Sequence, residues 1–164
     1  MKTMNSKILS QLINLTTQAG EIIMDLRANS SDYSIKADNT PVTLADKASH
    51  ELIVNTLQKL TPNTPILSEE SSHIPFSTRK SWDEYWLIDP LDGTRDFIDG
   101  SPDFCISIAL IRDNYPVFGL IYSPFNKVHY YRFENNASVK LVNKTTSTIL
   151  TSKPKRWEKI VVGR

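Results

Sequence analysis

FCISIALIRDNYPVFGLIYSPFNKVHYYRF, residues 104–133, holds three apolar runs separated by short polar breaks. The first run, FCISIALIR, is apolar at successive positions rather than alternate ones. That is how a strand covered on both faces reads, so it is expected near the centre of a sheet. The breaks at Asp113–Asn114 and Pro124–Asn126 carry turn residues and are too short for a crossover connection. Consecutive strands in this stretch are therefore expected to run antiparallel.

Upstream, the apolar spacing changes. Residues 6–27 carry Ile8, Leu12, Leu15, Ala19, Ile22, Ile23 and Leu26 at helical intervals, with Ser6 as the N-cap. SDYSIKADNTPVT, residues 31–43, mixes short extended pieces with turn residues, and Pro41 keeps Thr40 out of helical geometry. Thr43 then caps a second amphipathic helix of about 17 residues, with Leu44, Ala48, Leu52, Ile53, Leu57 and Leu60 on its inner side. PIL (65–67) reads as a short strand, SEESS (68–72) as a polar loop, 71–83 as exposed loop and YWLID (85–89) as a strand. Beyond residue 133, ASVKLVN is a weaker strand, TTSTILTSKPKRW a polar connector, and KIVVGR the start of one more strand. Two helices followed by mainly antiparallel strands make the fold class α+β, with the helices packed on the sheet.

The chain has 164 residues, 40% hydrophobic and 23% charged, with a formal net charge of +1. This suits one ordinary domain. So balanced a charge argues against a broad surface for a nucleic-acid polymer or an anionic membrane. It leaves room for a local phosphate pocket. The single cysteine, Cys105, lies in an apolar strand and reads as an inert core thiol. The N-terminus lacks the apolar run and cleavage site of a signal peptide, and no apolar run reaches membrane-spanning length. A cytoplasmic protein is expected, with no integral membrane association.

Chemistry concentrates in three acid-bearing segments: TLAD with Asp46, LSEES with Glu69 and Glu70, and DPLDGT with Asp89 and Asp92. Each lies at the end of a regular element, where side chains can project into a shared cleft. Hard divalent cations take carboxylates, backbone carbonyls, water and substrate phosphate. Pro90 stiffens the turn and Gly93 permits a tight backbone, which could direct Asp89, the Leu91 carbonyl and Asp92 to one point. The Thr94 hydroxyl could orient a water. Taken singly, each segment has a plainer explanation. Asp-Gly is a common turn pair, Asp46 complements a helix dipole, and SEES suits a solvated loop. Their joint occurrence favours a cation, because acids crowded without one repel. His50, His73 and His129 lack ligand spacing. Lys36 reads as a phosphate contact or an exposed lysine, and Tyr122, Tyr130 and Tyr131 as sheet packing or a base-stacking surface.

The ordered segments resemble the inositol monophosphatase superfamily of metal-dependent, lithium-sensitive phosphatases. Asp89-Pro90-Leu91-Asp92-Gly93-Thr94 is similar to the family pattern D-P-[LI]-D-G-T without a gap, and the preceding Trp-Leu-Ile and following Phe97-Ile98 also match. KADNTPVTLAD (36–46) and TPNTPILSEES (61–71) resemble the bacterial 3′(2′),5′-bisphosphate nucleotidase branch. Arg95 and Asp96 stand where that branch often has Lys and Glu. The resemblance implies the layered sugar-phosphatase fold and a water-attack phosphatase acting on the 3′-phosphate of 3′-phosphoadenosine 5′-phosphate. The alternatives are an inositol monophosphatase-type sugar phosphatase and a non-catalytic metal-binding remnant. By the same resemblance, Glu69, Asp89, the Leu91 carbonyl and Asp92 would bind metal, two or three Mg²⁺ per complete site. Asp46, Glu69 and Thr94 would handle the attacking water, and Glu69, Leu91, Asp92, Gly93 and Thr94 would line the substrate, the Gly93 and Thr94 amides cradling phosphate. No covalent phospho-enzyme is implied, so neither Ser68 nor Cys105 need be a nucleophile.

Family members carry a second α/β domain, with a W-D-x-A-A-type segment that nothing in this chain resembles. Residues 1–156 are accordingly expected to form the metal-binding domain and 157–164 to begin a crossover strand. Loss of a packing partner should expose apolar surface, so homo-oligomerisation or association through that face is expected, with at most peripheral membrane contact.

Overall fold

A computed structural model describes residues 6–29, 33–35, 41–134 and 136–149. The elements run α1 (Ser6–Asn29), β1 (Tyr33–Ile35), β2 (Pro41–Thr43), α2 (Leu44–Leu60), β3 (Ile66–Ser68), α3 (Phe76–Arg79), β4 (Glu84–Asp92), α4 (Thr94–Ile98), β5 (Cys105–Arg112), β6 (Tyr115–Ser123), β7 (Val128–Phe133), β8 (Ser138–Val142) and β9 (Thr145–Ile149). β1 and β2 form a small antiparallel pair, and β3 to β9 form one sheet in chain order. Among the described residues, only the β3–β4 pairing is parallel. The expected α+β class is what the chain adopts.

The turns explain the sequential order. Asp113 and Asn114 join β5 to β6 with φ of 51° and 64°, and Asn143 and Lys144 join β8 to β9 with φ of 47° and 65°. Left-handed pairs of this kind twist in the sense that flanking antiparallel strands require.

Cross-strand registers stack the core in rows. Trp86, Leu110, Phe118 and Phe133 form one row, Ile88, Ile108, Leu120 and Tyr131 the next, and Ile106, Tyr122 and His129 a third. All three rows face the helices, which pack on each other, α2 also lying against β4 and α1 against β6. Gly20 permits the α1–β6 approach, since a Cβ there would come within 2.5 Å of the Tyr122 ring. The opposite face carries Leu87, Ile121 and Tyr130, at 42%, 47% and 37% exposure. No described element covers it. FCISIALIR is thus central but covered by described elements on one face only; on the second face Cys105 and Ala109 are partly exposed and Ile111 is buried.

Several expectations need correction. Ser6 is already helical in α1, so it lies within the helix instead of capping it. Thr43 does cap α2, but the buried face there is Ala45, Asp46, Ser49, Ile53 and Leu57, while Leu44 is 55% exposed. The capping box turns Asp46 inward, and the inner face rotates with it. Residues 76–79 form one helical turn, α3, within the expected loop. Thr145–Ile149, expected as connector, is an exposed edge strand whose β-branched threonines suit the pleat despite lacking an apolar face. Tyr122 and Tyr130 lie on opposite faces, so the tyrosines form no single cluster. Lys36 and residues 157–164 lie outside the described residues.

His129 is a buried polar member of the helix-side layer. Its ring stacks on Tyr122 at 4.1 Å, and its Nε2 lies 3.1 Å from the Thr16 hydroxyl. That hydroxyl donates to the Leu12 carbonyl, so it accepts from Nε2–H. Burial lowers the His129 pKa to about 4. The folded state therefore favours neutral His129, and its contribution is complete above pH 6.5 and lost as pH falls towards 4. The expected penalty is on the order of 3 kcal/mol for a shift of this size. Urea unfolding from pH 7 to pH 4 should show a shallower pH dependence for His129→Gln than for the parent. Identical slopes would count against the assignment.

Candidate active site

The acid-bearing segments meet at one end of the sheet because of an irregularity in β4. Asp89 pairs with Ser107 and Asp92 with Cys105, so three steps along β4 oppose two along β5. Residues three apart in a regular strand face opposite sides. The added residue returns Asp92 to the side of Asp89 and leaves the Pro90 and Leu91 side chains buried. A neighbouring contact confirms the shared face: the Cys105 thiol lies 3.8 Å from Asp92 Oδ2 and 3.7 Å from the Ser107 hydroxyl.

Glu69 arrives from the parallel side. Ser68 pairs with Ile88, and the Glu69 amide donates to the Ile88 carbonyl at 3.0 Å, which sets Glu69 beside Asp89. Burial, then the Glu69 and Asp92 carboxylates, push the Asp89 carboxyl up to about 7, while the Leu91 amide, donating to Asp89 Oδ1 at 3.2 Å, opposes the rise. A hydrogen bond between the Asp89 and Glu69 side chains adds to it. Two carboxyl groups thus touch, with a third in electrostatic reach.

Asp46 and Thr94 form the second part. Asp46 is 2% exposed. Its Oδ2 accepts from the Thr43 amide at 2.7 Å and the Thr43 hydroxyl at 2.6 Å, while Oδ1 accepts from the Thr94 hydroxyl at 2.9 Å. The bland and the functional readings of Asp46 therefore coexist, one on each oxygen. Thr94 Oγ1 also lies 3.1 Å from the Leu91 carbonyl. Gly93, with φ of 90°, turns the chain from β4 into α4, and a Cβ on it would meet the Asp103 carbonyl oxygen at 2.7 Å. The loop after α4 is held by Arg27, which donates to the Ser101 carbonyl at 2.6 Å and covers the Phe97 and Phe104 rings at 5.4 and 4.9 Å.

Among the described residues, no three His, Cys, Asp or Glu side chains converge closely enough to hold a metal ion unaided. The donor chemistry nevertheless suits a hard cation. Mg²⁺ keeps several waters and takes one or two carboxylates plus substrate oxygens. A touching pair with a third carboxylate nearby, in which burial and then its neighbours raise Asp89, is what such a cation relieves.

Sequence reasoning placed Cys105 in the core. Its thiol instead shares the carboxylate face, and burial, aided by Asp92 and Asp89, pushes it up to about 11, which leaves it unreactive at neutral pH. Two polar residues of α2 were missed as parts of the site. Ser49 donates to the Pro90 carbonyl at 2.8 Å, and His50 Nδ1 lies 2.9 Å from the Ser68 hydroxyl. Their positions, three and four after Asp46, were the available signal. A groove of about 800 Å³ between α1 and β6–β8 opens on the helix side; Glu21 and Asp25 line it, and Asp46, Glu69, Asp89 and Asp92 do not.

The inositol monophosphatase family model matches residues 4–159. The chain is 42% identical over 131 residues to the 3′(2′),5′-bisphosphate nucleotidase CysQ of Haemophilus influenzae, covering 80% of this chain and 49% of that one. The crystal structure of CysQ from Bacteroides thetaiotaomicron is similar with a TM-score of 0.67 and 40% identity, over 78% of this chain and 46% of that one. The extragenic suppressor protein suhB of Bartonella henselae is similar with a TM-score of 0.73 and 28% identity, over 82% and 52%. The chain spans about half the length of the curated relatives it matches.

Asp46→Asn would set a donor where an acceptor is needed in this buried network. A loss of about 2 kcal/mol is expected in urea unfolding. Gly93→Ala is expected to destabilise the fold as well, by left-handed backbone strain and collision with the Asp103 carbonyl. Parent-like stability in either variant would contradict the geometry.

Proposed function

The chain belongs to the inositol monophosphatase family, and we propose on that premise that it is the carboxylate-bearing part of a phosphatase acting on the 3′-phosphate of 3′-phosphoadenosine 5′-phosphate. The observation that carries this reading is the crowding of Asp89 by Glu69 and Asp92 beside the Asp46–Thr94 hydrogen bond. Family members are metal-dependent, and we take the metal here to be Mg²⁺, with Li⁺ as an inhibitor.

Glu69, Asp89, Asp92 and the Leu91 carbonyl would hold the metal. When bound, it would supply positive charge that lowers the pKa of water, offsets phosphate charge and steadies the leaving oxygen. The protein groups supply orientation and proton handling. Thr94 donates its hydroxyl proton towards Asp46 Oδ1, which leaves its oxygen lone pairs to accept from an attacking water. Asp46 is fastened through its other oxygen, so its carboxylate is fixed where the proton must go. Glu69 assists, and the Gly93 and Thr94 amides receive a phosphate oxygen at the entry to α4.

The bisphosphate nucleotide is favoured because the relatives about 40% identical to this chain are CysQ proteins, the curated ones named 3′(2′),5′-bisphosphate nucleotidases. Association through the sheet face of Leu87, Ile121 and Tyr130 is part of the same proposal, supported by their exposure. So is a cytoplasmic location; among the described residues, no helix is long and apolar enough to cross a membrane.

Phosphate release from 3′-phosphoadenosine 5′-phosphate and from inositol 1-phosphate, with and without Mg²⁺, tests the reading. Mg²⁺-dependent turnover of the nucleotide, lost in Asp89→Asn, is expected. Turnover of only the inositol phosphate would shift the substrate, and inactivity on both would favour the non-catalytic alternative. Because Asp89 is raised to about 7 and must ionise to bind a cation, Mg²⁺ affinity should rise from pH 6 to pH 8 with proton release. Calorimetry in two buffers of different ionisation enthalpy reads that proton, and a pH-independent affinity would argue against Asp89 as a ligand.

A further inference from the structure

Asp46, Ser49 and His50 stand at i, i+3 and i+4 of α2 and so share one side of the helix. Each bonds to a different segment of the site. Asp46 reaches Thr94 at the start of α4, Ser49 reaches the Pro90 carbonyl, and His50 reaches Ser68 at the end of β3. Pro90 follows Asp89 directly, and Ser68 precedes Glu69. The two bonds of Ser49 and His50 therefore grip the chain next to each member of the carboxyl pair.

One bond fills a place that the β4–β5 ladder leaves open, and the other reinforces the last pair of the short β3. The β4–β5 register skips Pro90, so its carbonyl needs a donor from elsewhere. Ser49, at 0% exposure, supplies it. β3 spans only Ile66–Ser68, and its last side chain, Ser68, is 5% exposed. The His50 ring fastens that end to α2 at 2.9 Å.

We infer that Ser49 and His50 are positioning residues that set the gap between Glu69 and Asp89, two carboxyl groups borne on different strands. Neither touches the cation; each acts through the backbone of the segment it holds. The inference rests on the cation reading above. It adds that α2, besides supplying Asp46, is the template on which the ligands Glu69 and Asp89 are spaced.

The test uses the full chain titrated with Mn²⁺ by calorimetry, with the melting temperature of each metal-free protein recorded. Asp89→Asn should abolish saturable binding. Ser49→Ala and His50→Ala should weaken it by about 10-fold or more, the usual scale for residues that orient ligands. His50→Asn keeps a polar atom close to the Nδ1 position and should recover most of the affinity lost in His50→Ala, which loss of helix packing alone would not produce. His50 is only partly buried, so its variants should fold even if Ser49→Ala does not. Parent-like Mn²⁺ affinity in His50→Ala overturns the inference and leaves the cation reading standing. Absence of saturable Mn²⁺ binding by the parent overturns both.

Discussion

A strand residue and the third residue after it face opposite sides of a sheet. Asp89 and Asp92 are three apart and face the same side, which one added residue in β4 makes possible. Much of the site follows from that irregularity. It frees the Pro90 carbonyl from the ladder, buries Leu91, presents both aspartates to Glu69, and delivers the chain into Gly93 in the orientation that starts α4. Proline suits the position because it has no amide hydrogen to offer a ladder that has already been interrupted.

The cost of this geometry is crowded negative charge and diverted backbone polarity, and the helices answer the second. Polar groups on the inner face of α2 accept from Thr94, donate to Pro90 and hold Ser68, while the aromatic rings around Arg27 fix the loop after α4. Hydrogen bonding does not answer the first. Asp89 stays raised despite the Leu91 amide, because burial and two neighbouring carboxylates outweigh one donor. The remaining imbalance is of a kind that only positive charge removes.

Much of the fold was legible because its signals are local. Helical spacing in residues 6–27, the Thr43 cap and the turn pair Asp113–Asn114 each act over a few residues, and each element formed close to where it was expected. What misled was context. The inward face of α2 was assigned from its apolar residues, yet Asp46 and Ser49 are buried there because the site bonds them. The strand at Thr145–Ile149 was obscured because an edge strand with both faces open needs no apolar alternation. Cys105 looked internal because its neighbours are apolar, but alternation sets it on the face opposite Ile106. Of the site, the carboxylates stood out by residue type. Ser49 and His50 did not, since serine and histidine become informative only when their partners are known.

Strand order gives the site a particular place in the molecule's motions. From β4 to β9 every strand pairs with its chain neighbour, and the tight turns close loops of a few residues. The bonds from α2 close much longer ones, 48 residues for Asp46–Thr94, 41 for Ser49–Pro90 and 18 for His50–Ser68. Their closure entropy is larger than that of the turns, although Arg27–Ser101 and Thr16–His129 span more still, 74 and 113 residues. An opening that lifts α2 from the sheet severs all three together and breaks no strand pairing. Asp46 would then part from Thr94, and the carboxyl pair would lose its outer support while the sheet that carries it stays folded, which makes the complete site an all-or-none property of one docked helix.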